Sequence, residues 1–271
     1  MPEQLAAAKF AQNGSTDGAA IGEPEIVIRP IGGDDLRIAL SKGWEDFRAV
    51  PTHAFFVGLV CVVLGLVIIR ASFHYSLLPL VFPLIGGFAL LGPFAALGLY
   101  ELSRHREAGR DARFWHMFAG WQAANRGAIL RLGMGLALIF LVWLWIAVAL
   151  LRMTYGSVDI AIGTFLAELF TTSHGWTLVI IGNAIGLCLA LAVLALATFA
   201  FPLLLDRRVE LSTAVAISLR VFYQNPVTML AWGLIVGASL FVAALPLLLG
   251  LLVAFPVLGH ATWHLYRRAI A

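Results

Sequence analysis

From Val221 to Tyr266 the chain carries no Asp, Glu, Lys or Arg at all. Residues 153 to 205 carry only Asp159 and Glu168. Runs of this length leave room for helical bilayer crossings, one in 153–205 and two in 221–266, since about 20 apolar residues span the hydrocarbon core. They are continuously apolar, without the ten-residue alternation of a membrane β-barrel strand. The composition agrees: 61% of the 271 residues are apolar and 12% charged, whereas soluble domains run near 45–50% and 25%. The expected fold is therefore an all-α integral membrane protein.

Six transmembrane helices are expected, near 54–70, 77–100, 129–151, 176–204, 227–244 and 247–266, within a membrane domain over 34–271. Pro246 and Gly250 divide the last two by a tight turn, and a re-entrant hairpin is the alternative there. Residues 1–33 read as a mobile polar tail without the apolar stretch of a signal peptide, "EIVIRPI" being extended near the membrane surface. Of the 18 Lys and Arg residues, all but Arg70 and Arg152 fall on one side of these spans. The positive-inside rule then places both termini in the cytoplasm of a bacterial inner membrane. Cys61 and Cys188 lie inside apolar segments and read as packing thiols.

The chain also repeats itself. "DLRIALSKGWEDFRAVPT" (35–52) aligns with "ELSTAVAISLRVFYQNPV" (210–227), matching Asp35 to Glu210, Ala39 to Ala214 and Pro51 to Pro226. "GPFAALGLYELSRHR" (92–106) aligns with "FPVLGHATWHLYRRA" (255–269), and a weaker third copy runs from "FWHMFAGWQAANRG" to "FAFPLLLDRR". The expectation is three repeated hairpin units, each introduced by an amphipathic helix in the cytoplasmic interface. Two of these helices have apolar faces, at Leu36, Leu40, Trp44 and Phe47, and at Leu211, Val215, Leu219 and Phe222. Asp34 or Asp35 caps the first.

At "GFALLGPFAALGLYELSRHREAG", "LLLDRRVE", "QNPVTMLAW" and "GHATWHLYRR" the chain resembles an uncharacterised family of bacterial integral membrane proteins. The family is a domain of unknown function, sometimes labelled cytochrome c oxidase subunit I-like. The resemblance runs over residues 35 to 270, and "GHATWHLYRR" is its specific motif. It implies a multi-span inner-membrane protein without an assigned activity. The pattern of elbow helix, "NP", two spans and "YR" is also loosely similar to membrane domains attached to some glycerophosphodiester phosphodiesterases. The oxidase label fails on the residues: the seven histidines lie near the two membrane faces rather than at mid-depth, and the oxidase's His-Pro-Glu-Val-Tyr loop and His-His pair are absent.

Candidate sites are few. His260 and His264, one helical turn apart, suit two ligands of one metal or haem, with His53 or His105 as a third. Alternatively they cap the last span at headgroup level beside Trp263, Tyr266, Arg267 and Arg268, an aromatic belt closed by cations. Glu101 and Asp206 end their spans beside Arg104 and beside Arg207 and Arg208, which reads as structural ion pairing. Pairing of Glu101 with His264 or Arg267 is a further option. Asn183 is the intramembrane hydrogen-bonding residue of the fourth span, a helix–helix contact or a substrate contact. The second loop offers Arg104, Arg106, Arg110, Arg113 and Trp115 to anionic headgroups. No resident cofactor and no nucleic acid partner are expected. The favoured role is a non-enzymatic accessory, scaffold or lipid-interacting protein contacting the bilayer and a membrane protein partner. A small-solute or lipid transporter using the kinked second and sixth spans is the alternative, and it requires a polar cavity near Asn183.

Overall fold

The computed structural model describes residues 26–74, 77–122, 125–157 and 162–271. The tail up to residue 25, and the start of "VDIAIGTFLAELF", lie outside these residues. The chain runs through α1 (Gly33–Ala49), α2 (Pro51–His74), α3 (Val81–Leu90), α4 (Gly92–Ala95), α5 (Leu97–Glu107) and α6 (Arg126–Tyr155). There follow α7 (Ile162–Thr171), α8 (Ser173–Ala197), α9 (Ala200–Asp206), α10 (Leu211–Gln224), α11 (Pro226–Ala244) and α12 (Leu251–Ala269). Short 3-10 helices lie at Leu78–Leu80 and Phe114–Gln122. No strand occurs among the described residues, apart from an isolated bridge between Ile28 and Ile270.

Four segments are long and apolar enough to cross a membrane: Pro51–His74, Arg126–Tyr155, Ser173–Asp206 and Pro226–Ala244. The other two expected spans differ in kind. The second is broken into α3, α4 and α5, with a turn at Leu91 and Pro93 at the start of α4. The sixth, α12, is uncharged up to Tyr266 yet carries His260, Thr262, Trp263, His264 and Tyr266 in its last three turns, so its apolar character is confined to its first half. Absence of charge marked it as a span, but absence of charge is not the same as hydrophobicity.

The four apolar segments present large side chains outward, including Leu138, Leu141 and Trp145 on α6 and Ile180 and Leu187 on α8. Only 11% of the most apolar window of Ser173–Asp206 is covered by protein, so lipid must cover the rest. Between such helices water provides no driving force, and cohesion rests on close contact at small residues. A Cβ on Gly43 would stand 2.7 Å from the backbone of Ala261 and Val257, and one on Gly58 would stand 2.7 Å from Leu252 Cα. These contacts bring α12 antiparallel across both α1 and α2. Gly259 admits Leu99 of α5 in the same way.

Two elbows share a geometry. Val50 closes α1 at φ −131°, ψ 55° before Pro51, and Asn225 closes α10 at φ −130°, ψ 49° before Pro226. Proline disfavours helical backbone in the residue before it, so each pair turns the chain from one helix into the next. The third expected amphipathic helix is instead the 3-10 segment Phe114–Gln122. The N-cap of α1 is Gly32 rather than Asp34 or Asp35, and the Gly32 N–H donates to Asp35 Oδ2 at 2.8 Å.

Packing is uneven along the bundle. At the end where residues 26–31 meet the C-terminus, Leu99, Leu102, Phe199, Phe201, Leu203, Ala261 and Leu265 are sealed from solvent. Both described chain ends meet there: Arg29 N–H donates to Ala269 O (2.8 Å), Ala271 N–H to Val27 O (3.0 Å) and Ile31 N–H to Asn225 Oδ1 (2.8 Å). At the opposite end α3, α6, α7, α8 and α11 stand apart around a cavity.

Candidate functional site

The closed end is organised by one carboxylate. Asp46, on the buried face of α1, accepts from Ser103 Oγ at 2.6 Å, from His264 Nε2 at 2.8 Å and from Arg106 Nε at 2.8 Å. Ser103 Oγ in turn accepts from His260 Nδ1 at 2.8 Å, and that nitrogen lies 3.9 Å from Asp46 Oδ2. Since His260 and His264 are four residues apart, one face of α12 delivers both imidazoles to the same partner. Burial pushes the Asp46 carboxyl up, but the hydrogen bonds from His264, Ser103 and Arg106 outweigh burial and hold it at about 2, against an ordinary 3.8.

Asp, Ser and His side by side invite comparison with a nucleophilic triad, and the arrangement fails it. In a hydrolase the imidazole stands between carboxylate and hydroxyl so that it can take the hydroxyl proton. Here the hydroxyl stands between them, its proton directed at Asp46, and Ser103 is fully buried. The geometry locks three helices together and exposes no nucleophile.

A second tier of ion pairs surrounds this hub. Glu101 pairs with Arg104 at 2.7 Å and lies 3.4 Å from His105, so its partners are on its own helix rather than His264 or Arg267. Asp206 accepts from Tyr266 OH at 2.7 Å and from Arg267 Nη1 at 3.3 Å, not from the adjacent Arg207 and Arg208. Glu107 accepts from Trp263 Nε1 and Arg267 Nε, both at 3.1 Å, and Arg268 pairs with Asp35. Trp263 and Tyr266, expected in a lipid-facing belt, are therefore enclosed by protein, their polar tips satisfied by carboxylates. As for further metal ligands, His53 faces the ring of Phe114 and His105 stacks on His116. Among the described residues no three His, Cys, Asp or Glu side chains are grouped to hold a metal ion.

The cavity at the open end has a volume of about 850 Å³. Its wall is built from Pro83 and Gly86 of α3, Trp143 and Leu150 of α6, Phe165 and Phe170 of α7, Asn183 of α8, Phe241 of α11 and Phe255 of α12. Two features hold it open. Helix α3 is short, tied to α6 by Trp143 Nε1 donating to Pro83 O at 2.7 Å. Gly86 and Gly237 also face open space, with nothing within 4 Å of where a Cβ would stand. Asn183 lines the wall but its amide donates to Val179 O of its own helix at 2.8 Å, so the cavity is apolar and is not the polar one that the transporter alternative requires. Cys61 borders it, buried, while Cys188 is exposed; both are free thiols.

The second loop lies at the closed end. Arg110, Arg113 and Trp115 are exposed, and Arg113 pairs with Asp111 at 3.6 Å. The other two basic residues of the predicted headgroup set, Arg104 and Arg106, are engaged inside the protein instead.

Sequence reasoning missed Asp46 and Ser103. A readable signal existed for the first: Asp46 stands on the helical face of Leu36, Ala39 and Gly43, a lone carboxylate on a face of small and apolar residues. Nothing in the sequence distinguishes Ser103 from an ordinary helical serine.

Residues 81–206, just under half of the chain, match a family described as a predicted integral membrane protein of unknown function (DUF2189). The matched stretch runs from α3 through α9 and includes neither α1 and α2 nor the "GHATWHLYRR" motif. No curated protein and no solved structure gives a match.

Proposed function

We propose that this is a non-enzymatic, lipid-interacting protein of the bacterial inner membrane whose large cavity receives the acyl chains of a membrane lipid. The cavity carries the reading. An apolar space of about 850 Å³ falls in the 300–1,000 Å³ range of small-molecule sites. Water does not stably fill a cavity so poor in polar partners, whereas the surrounding lipid supplies apolar chains at the same depth. Phe82, Phe170 and Phe241 stand exposed among the lining residues, as expected for an opening toward the bilayer rather than toward water. In this reading the broken helix α3–α5 and α12 complete six crossings in repeated hairpins, both termini lie in the cytoplasm, and the cavity sits in the outer half of the membrane.

Filling the cavity tests this. The double variant Gly86→Trp/Gly237→Trp places two indoles in open space and leaves the closed end untouched. Native mass spectrometry of detergent-purified protein should find at least one phospholipid retained by the wild type. The filled variant should lose it at an unchanged melting temperature. A wild type free of lipid, or equal retention by the variant, would overturn the reading.

One observation favours transport as a second reading, namely the discontinuous helix in the cavity wall. Passage to the other face would require the Asp46 hub to open, so a transporter would lose function when that hub is cross-linked, whereas a lipid-binding accessory protein would not.

A further inference from the structure

At the closed end, far from the cavity, the loop after α5 gathers four basic side chains around a small polar recess. Helix α5 ends in a left-handed turn at Gly109 (φ +65°), where Gly109 N–H donates to Arg106 O and Arg110 N–H to His105 O. Glycine adopts this conformation without strain, and the turn folds the chain back over His105. The chain then enters the 3-10 helix Phe114–Gln122, and the His116 ring stacks on that of His105 with centroids 4.3 Å apart and planes 12° from parallel. His105, Arg110, Asp111, Arg113 and His116 line a shallow, open recess of about 330 Å³.

The hydrogen bonds fix how the imidazoles present themselves. Arg113 N–H donates to His116 Nδ1 at 3.0 Å, which leaves the His116 proton on Nε2. His105 Nδ1 donates to Glu101 O at 3.1 Å. The positive charge of the recess comes from the guanidinium groups of Arg110 and Arg113 beside the two stacked imidazoles, and its one acidic member, Asp111, is exposed and held to Arg113 at 3.6 Å, a weak surface pair. Glu101 is already taken by Arg104. An anion with several acceptor oxygens relieves this cluster, and guanidinium groups match phosphate in both charge and shape.

The surroundings indicate where such an anion comes from. Phe114 packs edge-on against Phe56, centroids 5.2 Å apart, in the second turn of the lipid-facing α2. Trp115 is 72% exposed and Phe118 48% exposed on the same segment. Exposed aromatic rings beside the start of a span belong at headgroup depth. We propose that His105, Arg110, Arg113 and His116 receive the phosphate group of an anionic phospholipid, with Trp115 and Phe118 inserted beside it.

The test is lipid titration of the purified full chain in neutral detergent, read by native mass spectrometry, with phosphatidylglycerol against phosphatidylcholine. The wild type should bind phosphatidylglycerol roughly thirtyfold more tightly, as expected for two basic residues at an anionic surface. Arg110→Gln/Arg113→Gln should abolish that preference. Arg37→Gln/Arg48→Gln, which removes the same charge from exposed positions on α1, should keep it. A wild type without preference, or an equal loss in the α1 control, would overturn the site as unspecific electrostatics. Inorganic phosphate distinguishes the two sources of the group. If phosphate alone raises the melting temperature of the wild type but not of Arg110→Gln/Arg113→Gln, while the two lipids bind equally, the recess takes a soluble phosphate and the lipid assignment is overturned. This site stands apart from the acyl-chain cavity, so Gly86→Trp/Gly237→Trp should leave the headgroup preference intact.

Discussion

Asp46 is the residue on which the closed end turns, because a single carboxylate satisfies donors from two other helices. Breaking a buried charged pair by removing one partner costs about 3–5 kcal/mol, most of it from the groups left without a partner. Asp46→Asn removes the charge opposite Arg106 and sets an amide among three donors. Since Arg106 is one-third exposed, the expected loss is near the lower figure, about 3 kcal/mol, measured by denaturant unfolding in detergent. The pH dependence has a definite sign. The folded carboxyl titrates at about 2, below its ordinary 3.8, so the folded state binds fewer protons between those values. The stability it contributes is complete above about pH 4 and is lost as pH falls toward about pH 2. The wild type should therefore lose melting temperature across that interval more steeply than Asp46→Asn does.

At the scale of the helix, the two elbow helices separate what was legible from what was not. Their existence, their amphipathic period and the prolines that end them follow from the sequence. The face they bury does not follow from hydrophobicity. On α1 the apolar stripe of Leu40, Trp44 and Phe47 is half-covered or exposed, and the sealed face is Leu36, Ala39, Gly43 and Asp46. On α10 the sealed residues are Ala214, Ile217, Ser218 and Val221. In a membrane protein the largest apolar side chains meet lipid at no cost, so small residues and polar anchors mark the protein-facing side. Gly43→Ala should then cost about 1–3 kcal/mol, because its Cβ would meet backbone atoms of Ala261 and Val257 that cannot step aside. Gly237→Ala, facing open space, should be neutral or stabilising by about 0.5–1 kcal/mol through its helix preference. Equal effects of the two substitutions in thermal unfolding would refute the close crossing of α1 and α12.

For the molecule as a whole, long apolar runs revealed the spans wherever one helix does the crossing. They were less informative where proline and glycine divide the run, as between Leu78 and Glu107, or where uncharged polar residues fill half of it, as in α12. The polar hub was hidden for a related reason: its members come from residues 46, 103, 106, 260 and 264, and only the antiparallel placement of α12 on α1 brings them together. That placement also bears on topology. The paired chain ends, the Arg-rich loop and the hub share one end of the bundle, while the Pro246 turn and α7 lie at the other. Taken with a Lys and Arg distribution in which only Arg70 and Arg152 fall at the far end, this predicts the outcome of cysteine labelling. In a Cys61→Ala/Cys188→Ala background, Thr171→Cys and Pro246→Cys should react with a membrane-impermeant maleimide in cells whose outer membrane alone is permeable. Asp111→Cys and Arg208→Cys should react only once the inner membrane is opened. Labelling of Thr171→Cys but not Pro246→Cys from outside would make α11 and α12 a re-entrant hairpin, reduce the crossings to four, and remove α11 from the wall of an outer-leaflet cavity.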